Sequence, residues 1–272
     1  MTKKLTILSW GCGVQSTTIG EMSACGDLPP LDAILTADTG WESRATYEAR
    51  DYYIDRWRKM GQRVEIVSGG DIRRDGAKEH IHIPFFTSDG GPLQRQCTHE
   101  FKIIPIKRRA RELAGYDARK PPHPKPGAIE CWLGISTDEW QRMKASRVRF
   151  MINHYPLIYH DPPMSRNDCI DYLSERGLLV PPKSACICCP YRRASEWLKM
   201  PHDEFQDAVE FDEANRHNPL ARRGGITADE IYLYKRAAPL ATADLESDAA
   251  RERHDKQLSM LPHFCESGFC MT

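Results

Sequence analysis

The sequence lacks an excess of charge of either sign and lacks any long apolar run. Its 272 residues include 38 Lys and Arg against 38 Asp and Glu, so the net charge does not predict a polyanion-binding protein. No stretch of about 18 apolar residues occurs, which excludes a typical membrane-spanning helix. The apolar segment after Lys3 and Lys4 is too short for a signal peptide. We therefore expect a soluble cytoplasmic protein with no membrane partner.

Cysteine, in contrast, is not scarce. The chain has ten cysteines, and in a cytoplasmic protein such a number does not predict a disulfide framework. Cys186, Cys188 and Cys189 are clustered, and Cys97 lies in a polar segment, which favours metal or sulfur chemistry. Three cysteines with apolar or helical neighbours are predicted packing residues: Cys25, Cys131 and Cys169.

Strand and helix patterns alternate along the first half of the chain. Predicted strands cover 5–8, 31–37, 63–67, 128–135 and 155–159, and predicted helices cover 16–24, 43–60, 98–114 and 137–144. This alternation predicts an α/β fold with a parallel sheet flanked by helices, and a ligand at the carboxyl ends of the strands. We expect a nucleotide-binding domain over 1–160 and a mainly helical region over 161–272 that carries the cysteine cluster and the tail.

A glycine-containing loop follows the first predicted strand. Residues 9–17 read SWGCGVQST, and a loop of this kind points backbone N–H groups and a helix N-terminus at one spot, as a phosphate chain requires. Gly11 and Gly13 allow a close approach of the backbone, and Ser16 and Thr17 add hydroxyl donors. The loop is neither a Walker A motif nor a Rossmann fingerprint. A tight turn with a serine cap is the alternative interpretation.

The loop resembles the SGGxxS loop of the PP-loop ATP pyrophosphatase superfamily, in the variant of its PAPS-reductase-like branch. Cys12 stands where the family usually has glycine. Other segments resemble the same branch in the same order: TADTG at 36–40, CTHEFKIIPI at 97–106, GISTDE at 134–139 with Arg142, YPL at 155–157 and MSR at 164–166. Ser136 replaces an arginine of the family pattern. The resemblance covers roughly residues 5–195.

The resemblance implies attack on the α-phosphate of ATP, with pyrophosphate as the leaving group. Mg²⁺ would bridge the phosphates, and Ser16 and Asp38 would be catalytic, with Asp38 a magnesium ligand or a ribose contact. The nucleotide-binding residues implied are Ser9, Gly11, Gly13, Gln15, Ser16, Thr17, Asp38, Thr39, Gly40, Gly134 and Arg142. Without the resemblance, Asp38 reads as a residue that caps the helix after a strand.

The second motif is the cysteine cluster SACICCPYR at 184–192. A C-x-x-C spacing brings Cys186 and Cys189 to one metal, and thiolates suit a [4Fe–4S] cluster, with zinc as the alternative. Cys97 is the predicted third ligand, and His99 or His202 would complete a zinc site. A cluster of free thiols for persulfide transfer is the remaining interpretation. Cys188 is expected to be a spare or sulfur-carrying thiol.

The C-terminal tail HFCESGFC holds Cys265 and Cys270. By resemblance to assimilatory PAPS reductases, Cys265 would be a catalytic cysteine that attacks a sulfonucleotide. It would otherwise be the fourth cluster ligand, or the tail would be disordered.

Three functions remain open from the sequence. The first is an ATP pyrophosphatase that adenylates a substrate, expected to be nucleic acid, for sulfur incorporation, as in DNA phosphorothioation (DndC/SspD type) or tRNA thiolation. A cysteine desulfurase would be its sulfur donor and a homo-oligomer is a possible assembly. The second is a PAPS or APS reductase that releases sulfite. The third is a non-catalytic, zinc-stapled nucleotide-binding subunit. The missing arginine at Ser136 and the absence of an ECGxH-type tail favour the first.

Overall fold

A five-stranded parallel sheet forms the centre of the computed structural model, which describes residues 4–89, 91–222 and 228–258. Its strands lie in the order β3-β2-β1-β5-β6. Their bounds are β1 Leu5–Ser9, β2 Ala33–Asp38, β3 Val64–Ser68, β5 Ile129–Trp132 and β6 Met151–His154. Two short strands, β4 Phe86–Thr87 and β7 Ile231–Tyr232, form a separate antiparallel ribbon. The predicted α/β class is confirmed.

Nine α-helical segments lie within the described ranges. They are α1 Val14–Cys25, α2 Arg44–Lys59, α3 Ile72–Asp75, α4 Ile104–Leu113, α5 Pro156–Tyr159, α6 Arg166–Glu175, α7 Ala194–Leu198, α8 His202–Asn215 and α9 Leu245–Leu258. A π-helical turn, His99–Ile103, leads into α4, and 3₁₀ segments cover Thr137–Arg142, Pro219–Arg222 and Leu240–Thr242. None of these helices combines the length and the apolar character that a membrane span requires.

Three hydrophobic cores hold these elements together. Because side chains alternate along a strand, β1 places Leu8 on the face covered by α1, α2 and α6, and Ile7 on the face covered by α4. The third core joins Trp41 and Phe85 to Trp197 and the last helices. It therefore takes residues from both sides of position 160, and the domain boundary there stays a prediction.

The predicted strand at 155–159 is wrong. Residues Pro156–Tyr159 form helix α5, and the last strand of the sheet is Met151–His154, which pairs with β5. Proline has no N–H for a sheet ladder, and its fixed φ suits the first turn of a helix. The helix predicted over 137–144 is a 3₁₀ segment, in which Glu139 has non-helical φ and ψ. Cys131 and Cys169 are buried as expected, but Cys25 is exposed.

Five basic residues lie close together in the segment before and within α4: Lys102, Lys107, Arg108, Arg109 and Arg111. Such a run predicts a solvated helix face, and that prediction is wrong for two of them. Lys102 is buried in an ion pair with Glu42, and Arg111 is buried where it donates hydrogen bonds to the carbonyls of Asp117 and Lys120, at 2.8 and 2.7 Å. Arg109 pairs with Glu65 and Glu112 at the surface.

A buried carboxylate fixes α1 to α2. Glu21 is fully buried and accepts hydrogen bonds from Arg56 Nη2 at 2.6 Å and from Trp57 Nε1 at 3.0 Å. Burial alone raises the pKa of Glu21, but the hydrogen bonds from Arg56, Trp57 and Cys25 bring that pKa below its usual value. Glu21 therefore stabilises the fold above its unfolded pKa of about 4.3, and this stabilisation is lost as the pH falls through the folded pKa.

Replacement of Arg56 by alanine is expected to lower the free energy of unfolding by about 3 kcal/mol at pH 7, because Glu21 would remain buried without its cation. The pKa of Glu21 would then rise, so acid unfolding should begin at a higher pH than in the wild type. Urea unfolding between pH 4 and pH 7, at steps of about half a unit, measures both effects. Lys59→Ala is the control, since Lys59 pairs with Asp55 in full solvent and its loss should cost less than about 1 kcal/mol. Equal losses in the two variants would contradict the prediction.

Candidate nucleotide and thiol site

The loop between β1 and α1 has the backbone bend that its sequence pattern requires. Cys12 adopts a φ of +56°, in the left-handed region that favours glycine. Its side chain is buried, with Sγ 3.4 Å from Thr36 Oγ1 on β2. A cysteine at the usual glycine position therefore keeps the bend and contacts the next strand.

Ser16 closes this loop on itself. Its Oγ accepts a hydrogen bond from Gly11 N at 3.3 Å and donates one to Gly13 O at 3.2 Å. Gly13 is the N-cap of α1, and no side chain caps that helix end. A Cβ on Gly13 would meet nothing within 4 Å. The first amides of α1 have no partner within the helix and lie at its positive end, so the loop faces open space with donors suited to phosphate.

The other predicted loop residues lie behind this opening. Ser9 and Thr17 are buried, and Thr17 Oγ1 accepts a hydrogen bond from Trp10 Nε1 at 2.9 Å. Gly134 contacts the loop from β5. A Cβ at Gly134 would lie 2.5 Å from Ser16 N, so only glycine fits there.

A chain of polar contacts connects the predicted residue Arg142 to the loop. Arg142 Nη1 lies 2.7 Å from Glu139 Oε2, which also accepts a hydrogen bond from Gln15 Nε2 at 3.3 Å. Arg166 Nη1 donates to Gln15 Oε1 at 3.2 Å, and Gln15 Nε2 donates to Ser136 Oγ at 3.4 Å. Ser136, which replaces the family arginine, is fully buried. The cations at this side of the loop are therefore Arg142 and Arg166.

Asp38 lies at the carboxyl end of β2, beside the loop, and it is held by α2. Its carboxylate accepts hydrogen bonds from Tyr47 Oη and Arg50 Nη1, each at 2.9 Å, and from Gly40 N at 2.8 Å. Asp38 lines a small cavity together with Gly11. The geometry is compatible with a ribose or magnesium contact, and both roles stay predictions.

Four cysteines line a second small cavity, which is partly open to solvent. Cys97, Cys186, Cys188 and Cys189 reach it from two distant parts of the chain, and the turn at the cluster is closed by Cys189 N donating to Cys186 O at 3.1 Å. Cys188, which is expected from the sequence to be a spare or sulfur-carrying thiol, is buried and lines the same cavity. Cys265 lies outside the described residues.

The chemistry of this cavity fits a group held by thiolates. In the described part of the chain, its lining has no carboxylate and no histidine, and it includes the cations Arg95 and Lys102. Soft thiolate donors next to cations suit an iron–sulfur cluster. The side chains are, however, not arranged around one point. Among the described residues, no three of His, Cys, Asp or Glu are placed to hold one metal ion. His99 and His202 are absent from the lining, and His99 pairs with Glu100.

The thiols of the cluster are protonated in this environment. Burial raises the pKa of Cys186, Cys188 and Cys189 above the usual range, and Arg95 and Arg192 oppose that rise at Cys189. A thiolate is the form that ligates metal or attacks sulfur. A bound metal would favour the thiolate forms, because metal binding and loss of the thiol proton are coupled.

A wall of four side chains separates the two cavities. Glu42 Oε1 accepts hydrogen bonds from Lys102 Nζ at 2.8 Å, from Thr39 Oγ1 at 3.1 Å and from Cys186 Sγ at 3.3 Å. Lys102 lines both cavities. Burial alone would lower the pKa of Lys102, but the Glu42 carboxylate raises it, so the ammonium stays charged. The nucleotide side and the thiol side thus share one buried cation.

Glu42 is the residue of this wall that the sequence interpretation missed. Its backbone forms a β-bridge with Cys186, and its Oε2 is buried without a hydrogen-bond partner in the described part of the chain. No motif marked it. The only available signal was Lys102 within the CTHEFKIIPI segment, since a buried lysine requires an acidic partner.

Comparison with known proteins gives a limited result. No protein-family model matches the chain, and no curated protein matches it. Among solved structures, the chain is similar to phosphoadenylyl-sulfate (PAPS) reductase from Candida auris, solved as a phosphate complex. The identity is 12%, the match covers 66% of this chain and 76% of that chain, and the TM-score is 0.41. These values do not establish a family, so the PP-loop assignment remains an interpretation of the motifs.

Proposed function

We propose that the protein is an ATP pyrophosphatase of the PP-loop type that activates an acceptor for sulfur incorporation. The observation that carries the proposal is the shared wall. The loop between β1 and α1 opens on one side of Thr39, Glu42 and Lys102, and four thiols line the cavity on the other side. An adenylated acceptor at the loop would therefore lie next to the sulfur chemistry.

The loop provides the groups that the first step requires. An acceptor oxygen attacks the α-phosphorus of ATP, the bond to the β-phosphate oxygen breaks, and pyrophosphate leaves. The amides of Gly13 and of the first turn of α1 would bind the leaving pyrophosphate and stabilise its developing charge. Asp38 is the proposed magnesium ligand, and bound Mg²⁺ neutralises phosphate charge. Lys102 offers a buried positive charge on the side toward the thiols.

The cysteine cavity is the proposed place where sulfur is presented to the activated acceptor. A cysteine desulfurase is the proposed donor. Cys97, Cys186 and Cys189 would hold a [4Fe–4S] cluster at this place, and zinc is the alternative. Absorption spectra and metal analysis of anaerobically purified protein decide between iron and zinc.

Pyrophosphate release from ATP, with and without DNA or tRNA, tests the proposal. Replacement of Ser16 by alanine removes the hydroxyl that closes the loop and should lower kcat/KM about 100-fold. Ser23→Ala is the matched control: Ser23 lies at the other end of α1, where its hydroxyl donates to Pro29 O at 2.9 Å, and its replacement should change kcat/KM less than about twofold.

Two outcomes would overturn the proposal. Sulfite release from PAPS with thioredoxin, without turnover of ATP, would identify a sulfonucleotide reductase. ATP binding without pyrophosphate release, in a protein that holds zinc, would identify a non-catalytic subunit. Equal activity of the Ser16→Ala and Ser23→Ala variants would remove the loop from the mechanism even if ATP is turned over.

A further inference from the structure

One segment of the chain departs from the balanced charge of the whole. Residues 140–160, WQRMKASRVRFMINHYPLIYH, contain four Lys or Arg and two His but neither Asp nor Glu. We call this segment the basic strap. It runs from the 3₁₀ segment Thr137–Arg142 through the edge strand β6 to the end of α5. In a chain with equal numbers of acidic and basic residues, such a segment provides a local positive surface.

Three of the four cations of the strap are exposed, and the fourth, Arg142, is paired with Glu139. Lys144, Arg147 and Arg149 are exposed, and within the described ranges their side chains form no ion pair. Arg109, by comparison, is neutralised between two glutamates. The acidic residues Glu139 and Asp161 flank the strap in the sequence.

The strap also carries the two most exposed large apolar side chains of the described residues. Trp140 is 66% exposed and Tyr159 is 63% exposed. The Tyr159 ring stacks on His154 with centroids 5.4 Å apart and an angle of 30° between the planes. His154 in turn lies 5.6 Å from Trp132 at the end of β5. A ring supported in this way presents an open face to the solvent.

The strap adjoins the nucleotide site. Helix α5 packs against the 3₁₀ segment that carries Trp140, and Arg142 in that segment contacts Glu139, which bonds to Gln15 at the phosphate loop. A ligand on the strap would therefore extend toward the loop.

We propose that the basic strap binds single-stranded nucleic acid, which would be the acceptor; its role as acceptor rests on the proposed function. Lys144, Arg147 and Arg149 would contact the phosphates, and Trp140 and Tyr159 would stack on bases. Phosphate contacts require unpaired cations, and stacking requires bases that are not already stacked in a duplex. Exposed aromatic rings among cations fit this ligand because a single strand offers a negative charge and a planar base at every nucleotide.

Fluorescence anisotropy with labelled single-stranded DNA and RNA of about 12 nucleotides tests the strap, since this length matches a typical single-strand site. The variant K144A/R147A/R149A should bind at least about tenfold more weakly. It should also reduce the slope of log K against log salt by about 2, because each of the three lost phosphate contacts contributes about 0.7 to that slope. The variant W140A/Y159A should bind about tenfold more weakly with little change in that slope.

The matched control removes three exposed lysines elsewhere, K59A/K78A/K199A, and should bind like the wild type. Circular dichroism and thermal unfolding show that each variant is folded. Equal binding by the strap variants and the control, or no binding by the wild type at low salt, would overturn the proposal. A strap variant that changes only the oligomeric state would also overturn it, because the surface would then serve self-association. Oligonucleotide binding without ATP turnover would leave the strap intact and refute the proposed function instead.

Discussion

Replacement of Lys102 by methionine is expected to lower the free energy of unfolding by about 3–5 kcal/mol and to abolish pyrophosphate release. The stability loss follows from Glu42, which would remain as a buried carboxylate without its cation. Its Oε2 already has no hydrogen-bond partner among the described residues, so the remaining donors, Thr39 and Cys186, would have to compensate the whole charge. Urea unfolding and pyrophosphate release measure the two effects separately.

A second substitution separates the structural role of Lys102 from its role at the site. In the double variant K102M/E42Q the buried charge is absent, so most of the lost stability should return. Activity should not return, because the cation shared by the two cavities is still missing. Lys107→Met is the matched control: Lys107 has no acidic partner in the described structure and should cost about 1 kcal/mol or less. Activity that returns together with stability would contradict a role for Lys102 beyond folding.

The sequence was sufficient for those parts of the fold that depend on local patterns. The strand–loop–helix unit at the first sheet strand is found as predicted, because an apolar run, two glycines and a helix start lie within about 20 residues of one another. The prediction failed at Pro156, where an apolar run without polar alternation reads equally as a strand or a helix. Pro156 favours the helix, because proline has no N–H for a sheet ladder and its fixed φ suits the first turn of a helix.

The candidate site was predictable only where one segment carries it. The C-x-x-C spacing indicated Cys186 and Cys189, and the loop indicated Gly11, Gly13 and Ser16. Glu42 and its contact with Lys102 depend on residues 60 positions apart, which no local pattern reports.

The basic strap is a feature that the sequence reveals only in part. Its charge bias is visible in the sequence. The exposure of Trp140 and Tyr159 follows only from the packed structure, because an aromatic residue in a sequence is more often buried.

Replacement of Gly134 by alanine is expected to weaken ATP binding and turnover about 100-fold, the scale of effect that a displacement of about 1 Å has at a reacting centre. The Cβ would lie 2.5 Å from Ser16 N and 2.8 Å from Ser16 Cα. Both atoms are backbone, so the clash cannot be relieved by a rotamer change, and either β5 or the N-terminus of α1 must move. The amides that face the phosphate site move with that helix end.

Gly13→Ala is the comparison that separates a loss of ATP binding from a loss of stability. Its Cβ would meet nothing within 4 Å, and its φ of −97° suits alanine. The free energy of unfolding should therefore fall by about 1 kcal/mol or less, which is the cost of alanine in place of glycine at an N-cap. ATP binding should nevertheless weaken, because the new methyl group occupies the open space in front of the loop. Gly134→Ala should instead reduce both stability, by about 1–3 kcal/mol, and binding. If the Gly13→Ala variant bound ATP like the wild type, the phosphate chain would not lie in front of Gly13. If the Gly134→Ala variant had normal stability, the contact between residue 134 and the Ser16 backbone would be less tight than in the structure.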